Sequence, residues 1–131
     1  MDPALHLKLG PGGLSDVEWV VQLLQLRHAH ALPGLRTTRT LEGLGAAARA
    51  GLVGPEDAAV LARAWRLASR IRDAVMLVRG RPGDVVPARA ADLAAVASVL
   101  GYPAGAAQEL VQDYRRAARR ARGVMEALFY G

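Results

Sequence analysis

The sequence predicts an all-α fold, an antiparallel bundle of about five helices behind an extended, glycine-rich N-terminal lead-in. Three observations carry that expectation. Alanine, leucine and arginine dominate, aromatics make up only 5%, and isoleucine and threonine are scarce, so helix formers abound and strand formers are rare. Glycine and proline clusters punctuate the chain at helix-length intervals. Between them, apolar residues recur with helical rather than alternating spacing.

The elements follow in order. Residues 1–14 read as the lead-in: His6-Leu7-Lys8-Leu9 alternates, and Gly10-Pro11-Gly12-Gly13 forbids regular structure. Ser15-Asp16-Val17-Glu18 has the form of a capping box, with Ser15 as N-cap and Glu18 reaching back. The first helix then runs to about Ala31, before Leu32-Pro33-Gly34. A second begins near Thr38 or Thr40 and ends at Ala50, with Gly51 as its left-handed terminator. Gly54-Pro55 opens a third that continues to Gly80. A turn-rich connection over 81–87 leads to a fourth helix over roughly 89–100, ended by Gly101. The fifth follows Ala106 and runs to about Phe129. Two regions result: the lead-in, 1–14, and the bundle, 15–131.

A chain of 131 residues suits one domain. With 52% hydrophobic residues it is too apolar for a disordered segment. The longest uncharged run, Leu93 to Gln108, is broken by Gly101 and Pro103 and falls short of the ~20 residues of a membrane span. The N-terminus lacks the pattern of a signal peptide. Cysteine is absent, which excludes disulfides and thiolate metal sites and suits a cytoplasmic setting.

Helical faces sharpen the picture. On the fifth helix, at about 100° per residue, Leu110, Val111, Tyr114, Ala117, Ala118, Ala121, Val124, Met125 and Leu128 share one side. Arg115, Arg116, Arg119, Arg120 and Arg122 share the other. That strip reads as a solvated face, because Glu109, Asp113 and Glu126 dilute its field and no aromatics interleave to stack bases. On the third helix, Leu61, Ala64, Trp65, Ala68, Ile71, Val75 and Val78 form the apolar stripe. Arg72 projects on the buried side and should meet a carboxylate or backbone carbonyls. The first helix has two apolar strips, Trp19-Leu23-Leu26 and Val17-Val20-Val21-Leu24, separated by Glu18, Gln22 and Gln25. Such a helix touches more than one neighbour, and its polar stripe faces either solvent or a cleft.

Most catalytic templates fail. No His-Glu-x-x-His pair exists, and His28 and His30 point apart on a helix. Ser15 and Ser69 lack a nucleophile context. What remains is Lys8 beside Gly10, Gly12 and Gly13, ahead of a helix carrying Asp16, Glu18 and Gln22. Lys8 is the sole lysine. An ammonium next to a glycine loop at a helix N-terminus can contact phosphate, but the acidic first turn opposes an anion there, so a hinge with a helix cap is the competing reading. The order of residues is not that of a Walker loop.

The run Lys8-Leu9-Gly10-Pro11-Gly12-Gly13-Leu14-Ser15-Asp16-Val17-Glu18-Trp19-Val20-Val21-Gln22 resembles the Lys-x-Gly-x-Gly-Gly-x-x-Asp-Ile-Glu-Phe-x-x-Gln signature of bacterial glutamine synthetase adenylyltransferases. Leu35-Arg36-Thr37-Thr38-Arg39-Thr40, Trp65-Arg66-Leu67, Gly101-Tyr102-Pro103 and Phe129-Tyr130-Gly131 look like the actinobacterial branch, so the likeness covers essentially the whole chain. Val17 for Ile and Trp19 for Phe are mild departures. Ala106-Ala107 replaces a more polar helix start.

The resemblance implies the C-terminal helical domain of a bifunctional enzyme. Such an enzyme moves AMP from ATP onto a tyrosine of glutamine synthetase and removes it by phosphorolysis, using Mg²⁺, under control of the PII signal protein and glutamine. The family's metal-binding aspartates lie in an upstream nucleotidyltransferase domain, after a Gly-Ser turn that this sequence lacks. Asp16-Val17-Glu18 has the carboxylate spacing but falls in a helical turn. The fragment is therefore expected to bind no cofactor and transfer no AMP alone. Lys8, Gly10, Gly12, Gly13, Asp16, Glu18 and Gln22 are expected at the seam with that domain, with no membrane or nucleic-acid partner. The helical region of a PII uridylyltransferase is one alternative, disfavoured by the Val17–Gln22 continuation. A stand-alone basic helical module, binding nucleic acid or protein through Arg115–Arg122, is another.

Overall fold

The computed structural model describes residues 2–130. Met1 of the lead-in and Gly131 of the C-terminal match lie outside the described residues. The fold is all-α, with helices α1 (Leu14–His28), α2 (Thr40–Arg49), α3 (Pro55–Arg79), α4 (Ala90–Val99) and α5 (Ala107–Phe129).

α3 and α5 form the central pair, and the composition of the core gives their direction. Leu61 and Ala64, early in α3, share one buried cluster with Ala117, Ala121 and Met125, late in α5. Ile71, Ala74 and Val75, late in α3, share the other with Leu110, Val111 and Tyr114, early in α5. The two helices are therefore antiparallel. α1 and α2 close the first cluster, while α4 and the lead-in close the second. The small residues Ala64, Ala68, Ala117, Ala118 and Ala121 sit at this seam, where only short side chains let two backbones approach closely.

Most helix ends follow the local signals. Pro55 takes the first position of α3. Gly51, Gly80 and Gly101 end α2, α3 and α4 in left-handed conformations, with φ of 78°, 72° and 90°. α1 differs from its expected form at both ends. Gly13, not Ser15, is the N-cap, Ser15 lies within the first turn, and no side-chain cap bond forms at Gly13. The reason is that the lead-in satisfies the first donors itself: Leu14 N–H donates to Leu7 O at 2.8 Å and Ser15 N–H to Lys8 O at 2.9 Å. The back-reaching carboxylate is that of Asp16, which accepts the Gly12 N–H at 2.7 Å. The helix stops at His28 rather than Ala31, because the chain turns there and Leu32 N–H donates back to His28 O.

The lead-in is extended only briefly. Pro3–Leu5 forms a 3-10 turn, capped by Asp2 accepting the Ala4 N–H. His6 then bridges Val85 in antiparallel fashion, Leu7 N–H donates to Asp84 O, and Val86 N–H donates to Leu5 O. Leu7 is fully buried. Burying one such leucine stabilises by about 2 kcal/mol, so the lead-in is part of the bundle's core rather than a free arm.

Arg72, expected on the buried side, reaches the edge. Its side chain remains 41% exposed, and Nε lies 2.8 Å from Asp84 Oδ1. The long stem lets the guanidinium leave the core while finding its carboxylate. No helix among the described residues is long and apolar enough to cross a membrane.

Candidate functional site: the glycine loop and the polar stripe of the first helix

The loop from Lys8 to Gly13 folds tightly on itself and onto α5. Gly10 N–H donates to His6 O and Gly13 N–H to Gly10 O, each at 2.9 Å. Gly12 has φ of 74°, and a Cβ there would overlap the backbone of Ala118. A Cβ at Gly10 would strike the carbonyls of Pro3 and His6. Packing of the loop thus requires glycine at both positions.

Asp16 holds this arrangement. Its Oδ2 accepts from Gly12 N–H and also from Arg122 Nη1 at 3.0 Å. Arg122 donates in turn to Glu126 at 3.0 Å. Both carboxylates push the Arg122 pKa upward, Asp16 more than Glu126. At the other end of the lead-in, Asp2 pairs with Arg115 at 2.9 Å. Its pKa is lowered, chiefly by the Ala4 N–H and then by Arg115. The arginine face of α5 is therefore partly spent on fastening the lead-in. Between these two ion pairs lies an open groove of about 320 Å³, floored by Pro11 and Ala118 and walled by Arg119.

Glu18 and Gln22 belong to a different depression. With Gln25 of α1, Thr37 and Thr38 of the α1–α2 connection and Thr40 at the start of α2, they line a groove of about 250 Å³. The connection is pinned by Gln25, whose Nε2 donates to Leu35 O at 2.8 Å and Thr37 O at 2.7 Å. Gly43 permits this closeness, since a Cβ there would lie 2.7 Å from Val21 Cγ1.

The expected site residues thus divide. Gly10, Gly12, Gly13 and Asp16 meet at the α5 side, while Glu18 and Gln22 meet Thr37–Thr40. Lys8 is exposed at the head of α1 and makes no ion pair among the described residues. The roles of Arg122 as latch and of Gln25 as pin came only with the structure. Nothing in the sequence pairs position 16 with 122, and Gln25 reads as one member of a polar stripe.

Asp16 and Glu18 do not converge on one point, and no group of three or more His, Cys, Asp or Glu side chains that could hold a metal occurs among the described residues. What the described residues offer is a helical scaffold with a latched glycine loop, an exposed lysine and a polar groove.

That helical scaffold belongs to a known family: the chain is a member of the family described as GlnD PII-uridylyltransferase, whose model matches residues 2–129. Within it, the chain is 61% identical over 98% of its length to the bifunctional glutamine synthetase adenylyltransferase/adenylyl-removing enzyme of Streptomyces coelicolor. It is 60% identical over 99% to the enzyme of that name from Streptomyces avermitilis, and 47% identical over 98% to that of Mycobacterium leprae. In each case the chain spans only 13% of the relative's length.

Proposed function

We propose that this chain is the C-terminal helical domain of a cytoplasmic glutamine synthetase adenylyltransferase/adenylyl-removing enzyme. The observation that carries the reading is similarity along nearly the whole chain to enzymes of that name, at up to 61% identity among the relatives above. The parent enzyme would transfer AMP from ATP to a tyrosine of glutamine synthetase and reverse the transfer by phosphorolysis. PII protein would regulate the balance. ATP and Mg²⁺ chemistry belongs in this reading to an upstream nucleotidyltransferase domain, as the family resemblance implies; here Asp16 is held by Gly12 and Arg122, and Glu18 lines the threonine groove.

The chain itself is then a positioning module. Lys8, exposed beside the loop of Gly10–Gly13, faces the seam and contacts a nucleotide phosphate or an acidic group of the adjoining domain. Glu18 and Gln22 present hydrogen-bonding groups one and two turns along α1. The 131-residue chain alone transfers no AMP; adenylylation of glutamine synthetase by it would overturn that. In the longer polypeptide, Lys8→Ala lowers the adenylylation rate or ATP affinity by about tenfold or more, the worth of a charge-assisted phosphate contact. Unchanged kinetics would remove Lys8 from the site.

One observation favours a second substrate pair: the matching family model is described by PII uridylylation. Offering the longer polypeptide UTP with PII and ATP with glutamine synthetase, side by side, separates the two. A nucleic-acid role draws less support, because Arg115, Arg116 and Arg122 are already paired with acids of this chain.

A further inference from the structure

α1 carries two apolar strips, and the bundle fully buries only one of them; on the other, Leu23 is half-buried. Val17, Val20, Val21 and Leu24 are buried, in the core cluster shared with α2, α3 and α5. On the other strip, Trp19 is 40% exposed and Leu26 81% exposed. The end of α5 adds aromatic surface to it. Phe129 meets Trp19 edge-on with ring centroids 5.1 Å apart, and Tyr130 stacks on Trp19 at 6.4 Å while remaining 70% exposed. The Arg27 guanidinium sits over the Phe129 ring, 5.3 Å from its centroid. Scattered exposed leucines need no explanation, but large aromatics clustered with an arginine and a bare leucine have the composition of an interface centre.

We propose that this strip, Trp19 and Leu26 with Phe129 and Tyr130, is the docking surface for an adjoining domain of the same longer polypeptide. The occupant follows from length and continuity. Relatives that match nearly all of this chain have only 13% of their length in the match, so most of such a polypeptide lies outside it. Trp19 also stands inside the signature run, between Glu18 and the exposed Gln22, so the apolar strip continues the polar surface assigned above to the interdomain seam. This inference rests on the chain being one domain of a longer enzyme.

The test is hydroxyl-radical footprinting of Trp19, Leu26 and Tyr130 in the 131-residue chain and in the longer polypeptide. Docking lowers their oxidation rates by about fivefold or more in the longer form, as an interface centre excludes water. Leu26→Glu in the longer form returns Trp19 toward the rate of the short chain. The same substitution leaves the short chain's helix content and unfolding temperature unchanged, which shows that the bundle is intact. Equal rates in both forms overturn the proposal. So does a dimer of the short chain, seen by sedimentation and abolished by Leu26→Glu, which would assign the strip to a second copy. Shielded Trp19 in a polypeptide that transfers no AMP would leave the docking standing and remove the enzymatic reading instead.

Discussion

Arg122 and Asp16, 106 positions apart in sequence, meet at 3.0 Å, and the carboxylate oxygen that accepts from Arg122 also accepts the Gly12 N–H at 2.7 Å. One half-buried carboxylate thereby latches the glycine loop to the last helix and takes up a backbone donor that would otherwise be orphaned against α5. Asp16→Ala is expected to destabilise the chain by about 1–3 kcal/mol in urea denaturation. Asp16→Asn should cost less, because an amide oxygen still accepts from Gly12. Equal losses for the two variants would show that the charge, not the acceptor, matters.

Gly12→Ala should be worse than either. It forces a side chain into a left-handed backbone and into the carbonyl of Ala118, so two independent penalties combine. A loss on the order of 2–4 kcal/mol is expected, read as a drop in thermal midpoint of the short chain. A midpoint within a degree or two of the parent would mean that the loop lifts off α5 freely.

Tyr114 is fully buried, and its hydroxyl has no hydrogen-bond partner among the described residues. Tyr114→Phe therefore removes a desolvated polar group without breaking a bond, and should leave stability unchanged or raise it by about 1 kcal/mol. Clear destabilisation would point to an interaction of the hydroxyl that the packing does not show.

The same residue shapes the response to alkali. Burial first, and the nearby Asp16 charge second, push the Tyr114 pKa from 10.0 to about 12. Burial, then the 2.6 Å hydrogen bond to Asp113, raise Tyr102 to about 12 as well. A folded-state pKa above the unfolded value means that the contribution is complete below pH 10 and is lost as pH rises toward 12. Stability should fall across that window, with Tyr114 contributing a slope of up to about 1.4 kcal/mol per pH unit. Tyr114→Phe should flatten the fall, as followed by chemical denaturation at several pH values.

Gln25→Ala should free the α1–α2 connection by deleting its donors to Leu35 O and Thr37 O. Faster amide exchange over 35–39 and a stability loss of about 1–2 kcal/mol are expected. Gln25→Glu should behave similarly, since a carboxylate cannot donate. Normal protection in both would remove Gln25 as the pin.

Much of the fold was legible in the sequence because helix periodicity and termination are local properties. The face Leu110 to Leu128, the stops at Gly51, Gly80 and Gly101, and the start at Pro55 follow from spacing and from backbone preferences that act within a few residues. The signature run and its family were legible for the same reason, being contiguous. The cap of α1 was not. Ser15 has the right residue type for it, but Leu7 and Lys8 supply their carbonyls from a folded lead-in, and that folding depends on Asp84 and Val86 far along the chain.

Sequence alone determined the helices, their buried faces and the family. The tertiary structure decided which polar residues act together. It turned Asp16 toward Arg122, turned Glu18 and Gln22 toward the threonines, brought Arg72 out to Asp84, and left one of the two apolar strips of α1 only partly covered. The physical reason is common to all of these. A helix sets the direction of a side chain relative to its own axis, whereas the partner it reaches depends on how distant helices pack, and that packing is set by the whole core rather than by any local run of residues.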